Sequence, residues 1–157
     1  MTGNGDIAAE REAICQLKAR YFRYMDQKDW DNWATLFTED VVVLVDSAVS
    51  KGFDLTAPHD LVAGRDAFVG HIREFLEDVS TVHHGHMPEI AIASPTEATG
   101  IWAMEDKLIW PDGTTPHGYG HYREHYRKED GQWRIVRLEL SRLRMDHGRL
   151  PDWQTKP

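Results

Sequence analysis

Three stretches of this chain concentrate side chains able to move protons near neutral pH. Thr81-Val82-His83-His84-Gly85-His86 holds three of the nine histidines. An unperturbed imidazole changes charge between about pH 5 and 8, which suits general acid–base work. Read as a strand, this segment puts His84 and His86 on one face. His83 points the other way unless Gly85 marks a bulge. Some of these imidazoles can simply satisfy loop carbonyls, but that does not account for all three. In the stretch from Gly100 to Trp110, alternation places Gly100, Trp102, Met104, Asp106, Leu108 and Trp110 on one face. A lone carboxylate among large apolar neighbours is costly unless paired. Such surroundings also raise a carboxyl pKa for acid–base chemistry. The alternative for Asp106 is a structural ion pair with a nearby Arg. In the third stretch His117, Tyr119, His121, Arg123 and His125 share a face. Tyr and His can donate to a developing oxyanion. A solvated or subunit-interface face explains the same pattern equally well.

His-x-His on a strand is also metal-ligand geometry, with further ligands available only from Asp26, Asp106 or His121. No signature such as HExxH accompanies the pair, so no metal is expected. Nucleophilic catalysis has less support. There is no G-x-S-x-G elbow, and Cys15, the single cysteine, falls among core positions of the first helix. Gly64-Arg65-Asp66 is one glycine before a helix and not a phosphate-cradling loop.

These groups need a scaffold. A chain of 157 residues fits one domain, 1–157, with a core from about 8 to 145 and an irregular tail over 146–157. Hydrophobic residues at 41% and charged residues at 28% describe a globular chain. The net charge of −8 argues against nucleic acid, whose phosphates need clustered Lys and Arg. The longest aliphatic run, Val41–Val45, is too short to cross a bilayer. The first fifteen residues lack a basic segment followed by an apolar one, so no secretory signal is expected. A single cysteine fits a reducing cytoplasm.

Ile14, Leu17, Tyr21 and Met25 recur at helical spacing and predict a helix over 6–26. Asp29 is a good N-cap for a short second helix carrying Trp30, Trp33, Leu36 and Phe37. Thr38-Glu39-Asp40 reads as a turn, Val41–Asp46 as a β-branched strand, and 47–63 as a loop. A third helix opens at Gly64-Arg65-Asp66, with Phe68, Ile72, Phe75 and Leu76 as its buried stripe. Strands follow over Glu89–Ser94, Gly100–Trp110, Gly118–Lys128 and Trp133–Arg144. Glu129-Asp130-Gly131-Gln132 is a strong hairpin signal between the last two. The order predicts an α+β fold. In it a curved antiparallel sheet forms a cone around N-terminal helices, with an interior cavity of the kind small molecules occupy.

Tyr24-Met25-Asp26-Gln27-Lys28-Asp29-Trp30-Asp31, Leu36-Phe37-Thr38-Glu39-Asp40, Gly64-Arg65-Asp66-Ala67-Phe68 and the hairpin from Tyr126 to Trp133 resemble the SnoaL-like domains of the nuclear-transport-factor-2-like superfamily. Within that family the chain is most similar to scytalone dehydratase and the bile-acid dehydratases. The resemblance implies an Asp after the first helix, here Asp26, beside a His of a Thr-x-His segment, here His83. It implies a further Asp on the next strand, here Asp106, which alternation also selects. Bile-acid dehydratases carry a Tyr a few residues before their first Asp, a place Tyr24 could fill. Where scytalone dehydratase has tyrosines, this chain has Met25 and Val45.

The combined reading is a cofactor-independent dehydratase-type lyase or isomerase acting on a small apolar cyclic, polyketide-like or steroid-like substrate. Asp26 would hold the tautomer of His83, and His83 would be the base. Asp106 or Tyr24 would supply the second proton-transfer group. Trp102, Met104, Leu108 and Trp110 would form an apolar wall, with His86, His121 and Tyr119 as polar contacts to substrate. One alternative is a polyketide cyclase or ketosteroid-isomerase-like enzyme with a carboxylate base. Another is a non-catalytic ligand-binding domain. The expected partners are the substrate and further copies of the chain, as a dimer or trimer joined through the outer sheet face with Tyr122, Tyr126 and Ile135.

Overall fold

Apolar side chains three and four residues apart must be buried on one side of a helix. In α1 (Asn4–Asp26) they are Ile14, Leu17, Tyr21 and Met25, each no more than 4% exposed. The computed structural model describes residues 4–45 and 60–151. Asp29 then caps α2 (Trp30–Ala34), its carboxylate accepting the Asn32 N–H at 3.4 Å and the Asn32 side-chain amide at 2.8 Å. Strand β1 spans Phe37–Val45 and β2 spans Asp60–Ala63, followed by α3 (Arg65–Leu76). Four long strands complete the chain: β3 (Ser80–Ser94), β4 (Glu97–Ile109), β5 (Thr114–Glu129) and β6 (Gln132–Arg149). One sheet of six strands results, in the order β2-β1-β6-β5-β4-β3, curved and unclosed, with the helices on its inner face. No described helix is long and apolar enough to cross a membrane.

The structure corrects several expectations. Thr38-Glu39-Asp40 is strand and not turn, because Phe37 pairs with Ile135 and the Ile135 N–H bonds the Leu36 carbonyl at 2.9 Å. The irregularity appears instead as a register shift between Phe37 and Val42. Strand β1 runs parallel to β6, so the sheet is mixed. The expected loop over 47–63 ends in β2, where Leu61, Val62 and Ala63 pair with β1, while 46–59 lies outside the described residues. Strand β6 continues to Arg149 opposite Thr114, so 146–149 of the expected irregular tail is strand, while 152–157 lies outside the described residues. Phe75 is 54% exposed and caps Trp110, its ring 6.0 Å away, instead of joining the stripe of α3. The hairpin reading holds: Asp130 and Gly131 have φ of 52° and 77°, the paired left-handed residues that a tight turn of this twist requires.

Strand β5 carries its alternation inward through Tyr122, Glu124 and Tyr126, which are at most 3% exposed, and Ile135 of β6 is fully buried. These residues form the core under α1 and are not available to an outer interface. Glu124 is buried because Lys18 meets it at 2.5 Å from the apolar side of α1. Tyr126 donates to the second Glu124 oxygen at 2.5 Å, and the Trp102 indole donates to the Tyr126 hydroxyl at 2.8 Å. The Lys18 ammonium also lies 3.6 Å from the ring centre of Tyr122 and 3.8 Å from that of Tyr21. Gly100 makes room for this network, since a Cβ there would stand 2.9 Å from the Tyr126 hydroxyl. Burial pushes the Lys18 amine down to about 8, with the Glu124 carboxylate opposing the shift.

Glu124→Gln strands the Lys18 charge. It should cost about 3–5 kcal/mol in urea unfolding, and adding Lys18→Met should recover most of that loss. Between about 8 and 10.5 the unfolded chain retains the Lys18 proton that the folded protein has released, so stability rises with pH across that window. Lys18→Met should abolish that rise.

Candidate active site

Helix α1 ends one residue past Met25, and its termination places Asp26 against β3. The Lys28 N–H bonds the Met25 carbonyl at 3.1 Å and the Asp29 N–H bonds the Tyr24 carbonyl at 2.8 Å. This is the paired closing pattern of a Schellman turn, with Lys28 in its left-handed slot at φ 60°. The turn leaves the Asp26 carboxylate facing Thr81 and His83. Thr81 donates its hydroxyl to Asp26 Oδ1 at 2.8 Å, and the His83 backbone N–H donates to Oδ2 at 3.0 Å. His83 Nδ1 lies 2.7 Å from Oδ1. Half-burial alone would raise the Asp26 pKa. The His83 ring, its charge, its backbone N–H and the Thr81 hydroxyl outweigh burial and hold the pKa below the ordinary value.

The same register sets His83 directly opposite Asp106 on β4. His83 Nε2 is 4.0 Å from Asp106 Oδ2, too far for a direct hydrogen bond but close enough for the carboxylate to stabilise an imidazolium. Asp106 is 3% exposed and is clamped by Arg142 of β6, with Nη1 at 2.8 Å and Nη2 at 2.6 Å from its two oxygens. Gly118 keeps that clamp open: a Cβ there would fall 2.3 Å from Arg142 Nη1 and 2.5 Å from Asp106 Oδ1. The Phe22 ring stacks on His83, with centroids 6.3 Å apart and planes 11° apart, and it leaves no space for a side chain at Gly85. Tyr21 and Tyr122 meet edge to face on the inner face, with ring centroids 5.9 Å apart, and burial raises both hydroxyl pKa values.

The expected site residues separate into two groups. Asp26, His83, Asp106, Trp102 and Met104 come together on the inner face, with Leu108 half-buried farther along β4 and Trp110 half-buried just past its end. Both Asp106 oxygens are engaged by Arg142, the ion pair that the sequence offered as the alternative for this residue. Tyr24 lies elsewhere: it lines a groove with Leu17, Leu36 and Trp133, with the Arg23 guanidinium 4.5 Å from its ring centre. One helical turn separates Tyr24 from Tyr21, and it is Tyr21 that points into the interior. Tyr119 and His121 occupy the outer sheet face, because the pleat that turns His83 and Asp106 inward turns their neighbours outward. There His84 Nδ1 and His117 Nε2 lie 3.1 and 3.3 Å from Glu105, and His86 Nε2 lies 3.8 Å away. The Tyr119 hydroxyl is 3.3 Å from His117 Nδ1. His86 reaches the site only as the rim of a cleft of about 380 Å³ lined by Lys18, Phe22, His83, Gly85, His86 and Trp102. Among the described residues, no group of three or more His, Cys, Asp or Glu is arranged to hold a metal ion.

Sequence reasoning missed Arg142, Tyr21, Thr81 and Lys28. Arg142 carried a signal: it continues the inward alternation of Leu138 and Leu140, a cation on an apolar face. Lys28 carried none, because its reach depends on the turn that ends α1.

A family model described as the SnoaL-like domain matches residues 6–139. The protein named Probable cyclase FGR4, from Gibberella zeae, is 27% identical over 152 residues, covering 87% of this chain and 94% of that one. Among solved structures, Putative Scytalone Dehydratase from Novosphingobium aromaticivorans is 25% identical with a TM-score of 0.77, covering 92% of this chain and 91% of its own. The function-unknown protein Rv3472 from Mycobacterium tuberculosis is 27% identical with a TM-score of 0.74, covering 91% and 78%.

The Asp26 pKa is lowered on folding, so its contribution to stability is present above the unfolded value of about 3.9 and is lost as pH falls through the folded one. Acid unfolding of Asp26→Asn should therefore be less pH-dependent below about pH 4 than that of the parent. Circular dichroism across a pH series measures this, and parallel curves would contradict it.

Proposed function

The chain belongs to the SnoaL-like family, and from that premise we propose that it is a general acid–base lyase of dehydratase type, or an isomerase, with His83 as the base. The observation that carries this reading is the double engagement of His83. Nδ1 is held by an ionised Asp26 at 2.7 Å, and Nε2 faces inward near Asp106. An ionised Asp26 accepts from Nδ1–H and so leaves the lone pair on Nε2. Nε2 removes a proton from the carbon α to a carbonyl. The C–H electrons form the new C=C bond, the β-hydroxyl leaves with the C–O electrons, and the proton on Nε2 passes to that hydroxyl to give water. An isomerase would instead return the proton to another carbon. Asp26 and Asp106 flank the ring and favour the imidazolium formed between the two transfers. Trp102, Met104, Leu108 and Trp110 suit a small apolar ring. No step needs a cofactor or metal.

A carboxylate base is less well supported. Asp26 already accepts from Thr81 and from two nitrogens of His83, and both Asp106 oxygens face Arg142. Cyclisation remains close in chemistry, because it too begins with proton removal α to a carbonyl, and the Gibberella zeae relative is named a cyclase.

A panel of cyclic β-hydroxyketones incubated in D₂O and followed by NMR tests the reading. Water loss or α-deuteration should fall about 100- to 10,000-fold in folded His83→Ala, and EDTA should leave it unchanged. Ligand binding with no turnover above His83→Ala would point to a binding domain.

We also propose self-association as a dimer or trimer through the outer face, now carried by Ile101, Tyr119, His121 and Arg123 in place of the core residues Tyr122, Tyr126 and Ile135. Light scattering should give a multiple of 18.1 kDa, and a single-chain mass would refute it.

A further inference from the structure

Asp26 can fix the tautomer of His83 only while its own carboxylate is fixed. The groups behind it run in one direction. Lys28 Nζ lies 3.0 Å from Thr81 Oγ1, and an ammonium can only donate. The Thr81 oxygen therefore accepts from Lys28 and spends its one proton on Asp26 Oδ1 at 2.8 Å. Asp26 also accepts the His83 backbone N–H, and so stays an acceptor towards Nδ1. Thr81 is 7% exposed, so water does not readily replace either bond.

A second observation concerns the backbone. Lys28 stands in the left-handed slot that closes α1, at φ 60°, where glycine is the usual residue and a Cβ is strained. The fold tolerates that strain at a position whose side chain reaches the Asp26 network, and such strain tends to cluster at functional sites.

We infer that Lys28 and Thr81 are positioning residues: the ammonium orients the Thr81 hydroxyl, and that hydroxyl commits Asp26 to accept from His83 Nδ1, which presents Nε2 as the base. The inference rests on the reading of His83 as the base. The charged groups around this chain are Lys28 after α1, Asp26 at its end, His83 on β3, Asp106 on β4 and Arg142 on β6. Neither Lys28 nor Thr81 touches substrate in this scheme.

Long-range ¹H–¹⁵N spectra of the His83 ring, recorded without any substrate, test it on the whole chain. Neutral His83 in the parent should be the Nδ1–H tautomer. Thr81→Val should raise the Nε2–H form at least about tenfold and move the Asp26 titration to higher pH, and Thr81→Ser should restore both. Lys28→Gly relieves the backbone strain, so its melting temperature should match or exceed that of the parent. Its His83 tautomer should nevertheless shift in the same direction. Parent-like tautomers in Lys28→Gly and Thr81→Val would overturn the inference. If Thr81→Val fails to fold, Lys28→Gly decides alone. An intact tautomer lock in a parent protein that turns over none of the β-hydroxyketones would count against the proposed reaction, while the relay itself would stand.

Discussion

Removing an ammonium and a carboxylate from water costs several kcal/mol per ion unless each meets its counter-charge with good geometry. Lys18 and Glu124 do so at 2.5 Å, in the seam between α1 and β5. The pair restricts how α1 can slide or rotate on the sheet, because any shift would strand a buried charge. The side chains that matter for chemistry are then set by their distance along that helix. Tyr21 and Phe22 lie one turn beyond Lys18, and Asp26 follows one turn later. The hydrogen bonds from Tyr126 and Trp102 extend the same constraint across β5 and β4.

The site repeats this logic on a smaller scale. Each ionised group on the inner face has a designated partner: Asp106 with Arg142, and Asp26 with Thr81 and His83. The arrangement separates two carboxylates that would otherwise compete for one imidazole. One fixes its orientation at 2.7 Å, and the other sits 4.0 Å from the opposite nitrogen. The ring is thus held by a carboxylate on one side and faces the Asp106–Arg142 ion pair on the other. Gly85 and Gly118 serve the same end, since a Cβ at either would displace Phe22 from the imidazole or Arg142 from Asp106.

The outer face follows a different chemistry. His84, His86 and His117 gather around Glu105 in surroundings open to solvent. Residues adjacent in sequence thus belong to different environments. His83 is 6% exposed at its side chain, and His84 is 57% exposed. The strand pleat, and not the count of histidines, decides which imidazole can act in a low-dielectric setting.

Much of this was legible in the residues themselves. Helical spacing in α1, the Asp29 cap, the Asp130-Gly131 turn and the alternation of β4 are local signals, and each specified its element without reference to the rest of the chain. The face shared by Trp102, Met104 and Asp106 followed from period two alone, and the pairing of Asp26 with His83 followed from family resemblance. Tertiary structure decided what depends on contacts between distant segments. The parallel pairing of β1 with β6 turned an apparent Thr38-Glu39-Asp40 turn into strand. Glu124 and Tyr126 became core because a lysine from α1 arrived opposite them. Tyr21 stood on the stripe that helical spacing marks, but its place beside Tyr122 came only from the docking of α1 on the sheet. Asp106 found its arginine 36 residues away, on a strand two places across the sheet. Local patterns specify periodicity and faces, whereas the partner of a buried charge is known only when the chain has closed around it.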